Sequence, residues 1–233
     1  MKVEFLFFEG CPHGPLALER LEQVIERMAP GTAIAHVRVE SDELAQQVGF
    51  LGSPSIRVDG LDIEGLTSGA PGMACRLYDG GGPPAEWMIE AAVLRAMGPK
   101  HVLFMCVANS ARSQMAEGIA RTLAPASVRI SSAGSSPTSV RPEALQVLSE
   151  IGIDIADHHS KSVDDVDKPS VDVAITLCAD EVCPLFPHPI TRLHWGLTDP
   201  AAVEGGADAR FDAFRQTRDE LSKRLERLFA VPQ

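Results

Sequence analysis

Two rhythms of apolar and polar positions alternate along this chain. Short runs with strand-like spacing are separated by longer stretches whose apolar residues recur every three or four positions, the signature of amphipathic helices. In the first half, "KVEFLFF" (2–8) reads as a buried strand. Residues 15–28 place Leu18, Leu21, Ile25 and Met28 on one helical face, with Pro15 suited to a first turn. "AIAHVRV" (33–39) alternates as a strand, 42–50 read as a short helix, and "SIRVDG" and "LDIEG" form a hairpin around Asp59-Gly60. A helix over 83–97 closes this half. In the second half, strands are predicted at 101–107, 128–134, 171–178 and 190–197, and helices at 111–124, 141–152 and 209–229.

The pattern predicts two α/β domains, 1–97 and 101–233, joined by Gly98-Pro99-Lys100. Glycine ends a helix there and proline cannot continue it. Strands separated by helices imply, for the second domain, a parallel sheet wrapped by helices on both faces. No internal repeat or low-complexity segment interrupts this plan.

Charge narrows the function classes. The chain of 233 residues has a formal net charge of −11, with the acidic excess in both halves. A general surface for nucleic acid or anionic membrane is therefore not expected, although a local anion site remains open. No apolar stretch approaches the ~20 residues that span a bilayer. The N-terminus looks like a strand, without the apolar core and cleavage site of a signal peptide, so a cytoplasmic protein is expected. Five cysteines, an odd number, point in a reducing compartment to chemistry or metal before a static disulfide framework.

The sharpest chemical signal is "CVANSARS" (106–113), placed where a strand ends and a helix begins. Ligands bind at this position in open parallel sheets. Backbone N–H groups of Val107, Ala108, Asn109, Ser110 and Ala111 can turn inward on an oxyanion, and the next helix adds its positive end. Arg112 offers a planar fork for two oxygens of a tetrahedral anion. The same field stabilises a thiolate on Cys106, towards which Ser113 can donate. Asn109 suits the left-handed turn of a tight loop. The bland reading makes Cys106 a small core residue and Arg112 a solvated one.

Residues 100–230 resemble the low-molecular-weight tyrosine phosphatase fold, and within it the thioredoxin-coupled arsenate reductases. The stretches that carry the resemblance are "CVANSARSQMAEG", "SSAGS", "TLCADEVCP" and "HWGLTDPA", in order. The resemblance implies that Cys106 attacks arsenate while Asp199 acts as general acid. It further implies that Cys178 and Cys183 relay a disulfide to thioredoxin or another dithiol reductant. A phosphatase is the alternative of the same fold, weakened because Ala201 and Ala202 stand where aromatic residues usually hold a phosphotyrosine ring. A metalloid-binding or redox-sensing protein without turnover is the alternative from another class. Zinc on Cys178, Cys183, His188 and His194 is disfavoured, because only four residues separate the two pairs. Some relatives hold potassium at positions matching Asn109, Glu117, Ser132 and Lys161; here Lys161 replaces an acid, so neither potassium nor any other cofactor or metal is expected. His158 and His159 read as a solvated loop, Leu177 and Trp195 as core.

The first half resembles a thioredoxin-like domain through "FFEGCPHGPLALERL" and "GFLGSPSIRVDG". Cys11 stands between a strand and a helix, and Ser53-Pro54 matches the cis-proline that faces a redox cysteine. Gly14 occupies the position of the second cysteine of a C-x-x-C motif. Redox activity would therefore need a single-cysteine mechanism or pairing with distant Cys75, and would make this fused half a candidate built-in or docking dithiol reductant for the Cys178–Cys183 relay; the alternative is an inert module used for packing or binding.

Overall fold

The computed structural model describes residues 1–66, 69–179 and 190–230. The chain divides into two compact units, built from Met1–Gly98 and Pro99–Phe229.

In the first unit, β1 (Val3–Phe7) lies between β2 (Ile34–Arg38), parallel to it, and β3 (Ser55–Val58), antiparallel; β4 (Leu61–Asp62) adds antiparallel to β3. The order is thus β2-β1-β3-β4. Helix α1 (Gly14–Met28) has proline in its first turn and buries Ala17, Leu21, Val24, Ile25 and Met28. Its buried face is turned slightly from the one predicted: Leu18 is only half-buried, and Ala17 and Val24 take the central line. Ser41 caps α2 (Asp42–Val48) by accepting from the Leu44 N–H. Helix α3 (Glu86–Met97) ends on Gly98 in the left-handed conformation, φ 62°. The Ser53-Pro54 peptide is cis.

In the second unit, β5 (His101–Cys106), β6 (Arg129–Gly134), β7 (Val173–Cys178) and β8 (Thr191–Leu197) form an all-parallel sheet in the order β6-β5-β7-β8. Every residue of β5 is buried, as expected of a strand covered on both faces. Helices α4 (Arg112–Leu123), α5 (Pro142–Ser149) and α6 (Ala207–Leu228) pack on one another. Met115, Ala116, Ile119, Leu148, Phe214, Leu221 and Leu225 are buried there. Another core cluster joins Leu103, Met105, Ala133 and Ala174 of the strands to Val163 and Val171, with Val166 and Ile190 against it. Here the expectation of helices on both faces is refined: among the described residues this cluster is closed by a segment carrying two 3-10 turns, Val163–Asp165 and Lys168–Ser170. Lys100, assigned to a linker by sequence, is tied into this unit: its N–H donates to Asp172 at 2.7 Å and its carbonyl accepts from Arg129.

Among the described residues no helix is long and apolar enough to cross a membrane.

Candidate active site

The loop between β5 and α4 turns its carbonyls outward. Val107 O accepts from Ser136 N, Ala108 O from Thr138 N and Ser110 O from Arg141 N, at 2.9–3.0 Å. Asn109 O accepts from Ser160 Oγ and Gln114 Nε2. Among the described residues the N–H groups of Ala108, Asn109, Ser110 and Ala111 bond to no acceptor. Outward carbonyls and uncommitted N–H groups at a helix N-terminus make an anion cradle. Asn109 sits at the turn with φ 44°, a conformation that asparagine tolerates better than most residues. Its side chain ties the loop down, donating to Ser113 Oγ and Ser132 Oγ (both 2.8 Å) and accepting from Lys161 N at 2.8 Å.

Gly134 is the residue that lets this loop pass. A Cβ there would lie 2.4 Å from Val107 O and 2.8 Å from Asn109 N, both backbone atoms that cannot swing aside. In the sequence, "SSAGS" carries no sign of this role.

Cys106, 2% exposed, ends β5 with its Sγ 3.0 Å from Ser113 Oγ. Arg112 is 4% exposed and so is not the solvated helix residue of the bland reading. Its Nη1 donates to Leu197 O at 2.9 Å, and its Nη2 lies 3.6 Å from Asp199 Oδ2. The other oxygen of Asp199 accepts from Ala201 N at 3.1 Å. The Asp-Pro turn and the approach to Arg112 thus use different oxygens of one carboxylate. Cys178, fully buried, ends β7, the strand beside β5, and pairs in register with Leu197. Gly196 admits this strand end: a Cβ there would stand 3.2 Å from Cys178 O. Cys183 and His188 lie outside the described residues.

A buried thiol, an inward N–H loop and an arginine can bind a tetrahedral oxyanion and attack its centre. The pattern of known proteins agrees over the same residues: "Low molecular weight phosphotyrosine protein phosphatase" describes the family that matches 101–232. The chain belongs to the low molecular weight phosphotyrosine protein phosphatase family. An arsenate reductase of Halalkalibacterium halodurans is 39% identical over 132 residues, spanning 56% of this chain and 95% of that protein. One of Bacillus subtilis is 36% identical over 132 residues, with the same shares. A crystal structure of arsenate reductase from Archaeoglobus fulgidus, 27% identical, superposes with a TM-score of 0.49 over 56% of this chain and 99% of that one.

Behind the phosphatase-family loop, Glu117 is buried and heavily engaged. Lys161 Nζ lies 3.2 Å from its Oε2, which also accepts from Ser132 Oγ, while Arg121 binds Oε1. The ammonium of Lys161 therefore sits against the carboxylate of the position set considered for potassium. Gln114, which sequence reasoning missed, is fully buried and bridges the Asn109 and His159 carbonyls to His158 Nδ1. This corrects the reading of His158 as solvated: it is half-buried between Gln114 and Arg121, and burial is the first cause of its lowered pKa. His194 bonds to Thr176 Oγ1 across the β7–β8 pair, and among the described residues no group of three or more His, Cys, Asp or Glu could hold a metal. Leu177 and Trp195 are core.

In the first unit Cys11 lies before α1, 6% exposed, and its thiol donates to Ser53 O at 3.2 Å. Ser53, beside cis-Pro54, also bridges to Cys75: Ser53 N donates to Ala74 O and Arg76 N to Ser53 O, both 2.8 Å. Cys75 is exposed, yet its thiol is pushed up, first by desolvation and then by its charge interaction and hydrogen bond with Cys11. The structure therefore brings Cys11, Pro54 and Cys75 together.

Proposed function

We propose that the second unit is an arsenate reductase whose nucleophile is Cys106 and whose electrons come from paired thiols. Arsenate occupies the cradle of 107–111, its oxygens held by loop N–H groups and Arg112. The Cys106 thiolate attacks arsenic, an S–As bond forms, and the departing hydroxide takes a proton from Asp199 to leave as water. Cys178 then attacks the Cys106 sulfur. The S–As electron pair stays on arsenic, which leaves as trivalent arsenite, and a Cys106–Cys178 disulfide remains. Cys183 attacks Cys178, returning Cys106 as a thiolate and leaving Cys178–Cys183 for an external dithiol such as thioredoxin.

The observation that carries this reading is Cys178, buried at the carboxyl end of the strand next to β5, at the sheet end that holds Cys106, Arg112 and Asp199. Phosphate-ester hydrolysis has no use for a second thiol there, whereas reduction of pentavalent arsenic needs two electrons. Arsenate reductases also supply the relatives that align along nearly their whole length.

For the first unit the proposal is a thioredoxin-like domain with Cys11 and Cys75 as its redox pair. The strand order β2-β1-β3-β4 with β3 antiparallel, and Ser53-Pro54 tied both to the Cys11 thiol and to the Cys75 segment, support it.

The test is arsenate-dependent NADPH oxidation with added thioredoxin and thioredoxin reductase, run beside hydrolysis of an aryl phosphate. Sustained oxidation that falls to one arsenite per chain in Cys183→Ser, and to none without external thiol in Cys178→Ser, is expected. Aryl phosphate hydrolysis without arsenate-dependent oxidation would assign the loop to phosphatase chemistry.

A further inference from the structure

The first unit holds a second thiol site, separate from the anion cradle, and its construction bears on what it takes. Ser53 O accepts both the Cys11 thiol at 3.2 Å and Arg76 N at 2.8 Å, so Cys75, the residue just before Arg76, is pinned beside Cys11. The pinning is reinforced from below. The Arg76 guanidinium, buried, forks onto both oxygens of Asp62 at 2.7 Å and reaches Glu64 and Ser55 Oγ. Tyr78, stacked against Arg76, donates to Pro54 O at 3.0 Å. Gly52 lets the two segments meet, since a Cβ there would lie 2.8 Å from Ala74 O. The result is two thiols, one buried and one open to solvent, on backbone held through the same residue, Ser53.

Two readings compete for such a pair. Disulfide exchange needs a thiolate as attacking group. Condensation with arsenous acid does not: it joins two protonated thiols to As(OH)₃. Two As–O bonds break, two As–S bonds form, and two waters carry away the thiol protons. Arsenic stays trivalent and keeps one hydroxyl, so no oxidant or reductant enters. The Cys11 thiol donates to Ser53 O and is therefore held in its protonated form with the Cys75 segment beside it, the form this condensation consumes. Among the described residues no third Cys, His, Asp or Glu completes a three-ligand set, which suits a centre that retains its own hydroxyl.

We propose that the reduced Cys11–Cys75 pair is a capture site for trivalent arsenic, the product of the reaction assigned to the second unit. The choice of arsenite rests on that assignment; the dithiol chemistry does not.

The experiment adds trivalent arsenic directly, so it does not depend on arsenate being reduced. The reduced full-length chain is treated anaerobically with one equivalent of phenylarsine oxide, digested and mapped by mass spectrometry. A single phenylarsenic group joining the Cys11 and Cys75 peptides is expected. In parallel, the Cys106→Ser/Cys178→Ser/Cys183→Ser chain should retain one arsenite after desalting, and adding Cys11→Ser or Cys75→Ser should weaken retention at least tenfold. Phenylarsenic confined to Cys106, Cys178 or Cys183 would overturn the proposal, as would retention indifferent to Cys75. The wild-type map decides if the multiple variant fails to fold. Failed reductase activity with an intact Cys11–Cys75 adduct would remove the product assignment and leave the capture site standing.

Discussion

Asn109 donates through Nδ2 to Ser113 Oγ at 2.8 Å, and so holds that hydroxyl 3.0 Å from Cys106 Sγ. A thiolate sulfur can only accept, so once Cys106 ionises the Ser113 hydroxyl donates to it. A neutral donor is thereby aimed at the sulfur that must become an anion. Ser113→Ala removes it without altering the loop's backbone contacts. Hydrogen bonds to charged groups are worth ~1.5–3 kcal/mol, so kcat/KM for arsenate should fall roughly 10- to 100-fold. Alkylation of Cys106 by iodoacetamide at neutral pH should slow in parallel. Unchanged alkylation would mean that the hydroxyl serves packing alone.

Lys161 and Glu117 form the next relationship with a measurable consequence. The Glu117 side chain is 1% exposed, and Lys161, 26% exposed, supplies a positive charge at 3.2 Å. Breaking a buried pair by removing one partner costs ~3–5 kcal/mol. Arg121 and Ser132 remain on Glu117, so Lys161→Met should cost less, about 1–3 kcal/mol, or roughly 3–10 °C in Tm. Potassium chloride should restore part of that loss in the variant, while tetramethylammonium chloride should not, and the wild type should respond to neither. A variant whose Tm ignores potassium would show that the pocket does not accept a cation in place of the ammonium.

Much of this site was readable from sequence because its chemistry is local. Cys106, Asn109, Arg112 and Ser113 lie within eight residues, and the uncharged strand before them and periodic helix after them fix where the loop must sit. What holds the loop is not local. Gly134 clears space for Val107 O, Ser160 and Lys161 reach back to Asn109, and Gln114 joins Asn109 to His158. Periodicity carries no information about such long-range bonds. Gln114 in particular reads as an ordinary polar helix position until tertiary structure buries it. Leu18 shows the same limit in milder form. Spacing gives a helical face, but tertiary packing, here against α3, decides whether the buried line runs through Leu18 or through Ala17 and Val24.

Acid should weaken the second unit through His101. This residue is 3% exposed, with Nε2 2.7 Å from Ser131 Oγ and Nδ1 against the Ser170 carbonyl and hydroxyl. Its pKa is lowered, first by desolvation and then by Arg129, against the opposing pull of Ser170, Asp172 and Asp167. Between the folded value and the unfolded value of about 6.5, the unfolded chain binds more protons than the folded one, so stability rises with pH. The contribution is complete above about pH 6.5 and is lost as pH falls towards the lowered folded value. Urea unfolding followed through Trp195, in a Trp87→Phe background, should show a midpoint that declines from pH 7 to pH 5. His101→Gln should flatten that decline. An equal slope in the variant would assign the acid sensitivity elsewhere.

Asp199 allows its two duties to be separated. Oδ1 caps the 3-10 turn Pro200–Ala202 by accepting from Ala201 N, and Oδ2 lies 3.6 Å from Arg112 Nη2. Asparagine keeps an oxygen for the cap, but its amide cannot hand a proton to departing hydroxide. Caps made by Asn and Asp are of similar strength, so Asp199→Asn should change stability by less than about 1 kcal/mol. General acid catalysis typically contributes ~10²–10⁴-fold, and the first step, read as a single-turnover burst of arsenite, should slow by that order. Asp199→Ala loses cap and acid together, so it should show the same kinetic defect with an added loss of thermal stability. A burst slowed less than about threefold in Asp199→Asn, far below that range, would leave Asp199 as a turn residue and require another proton donor.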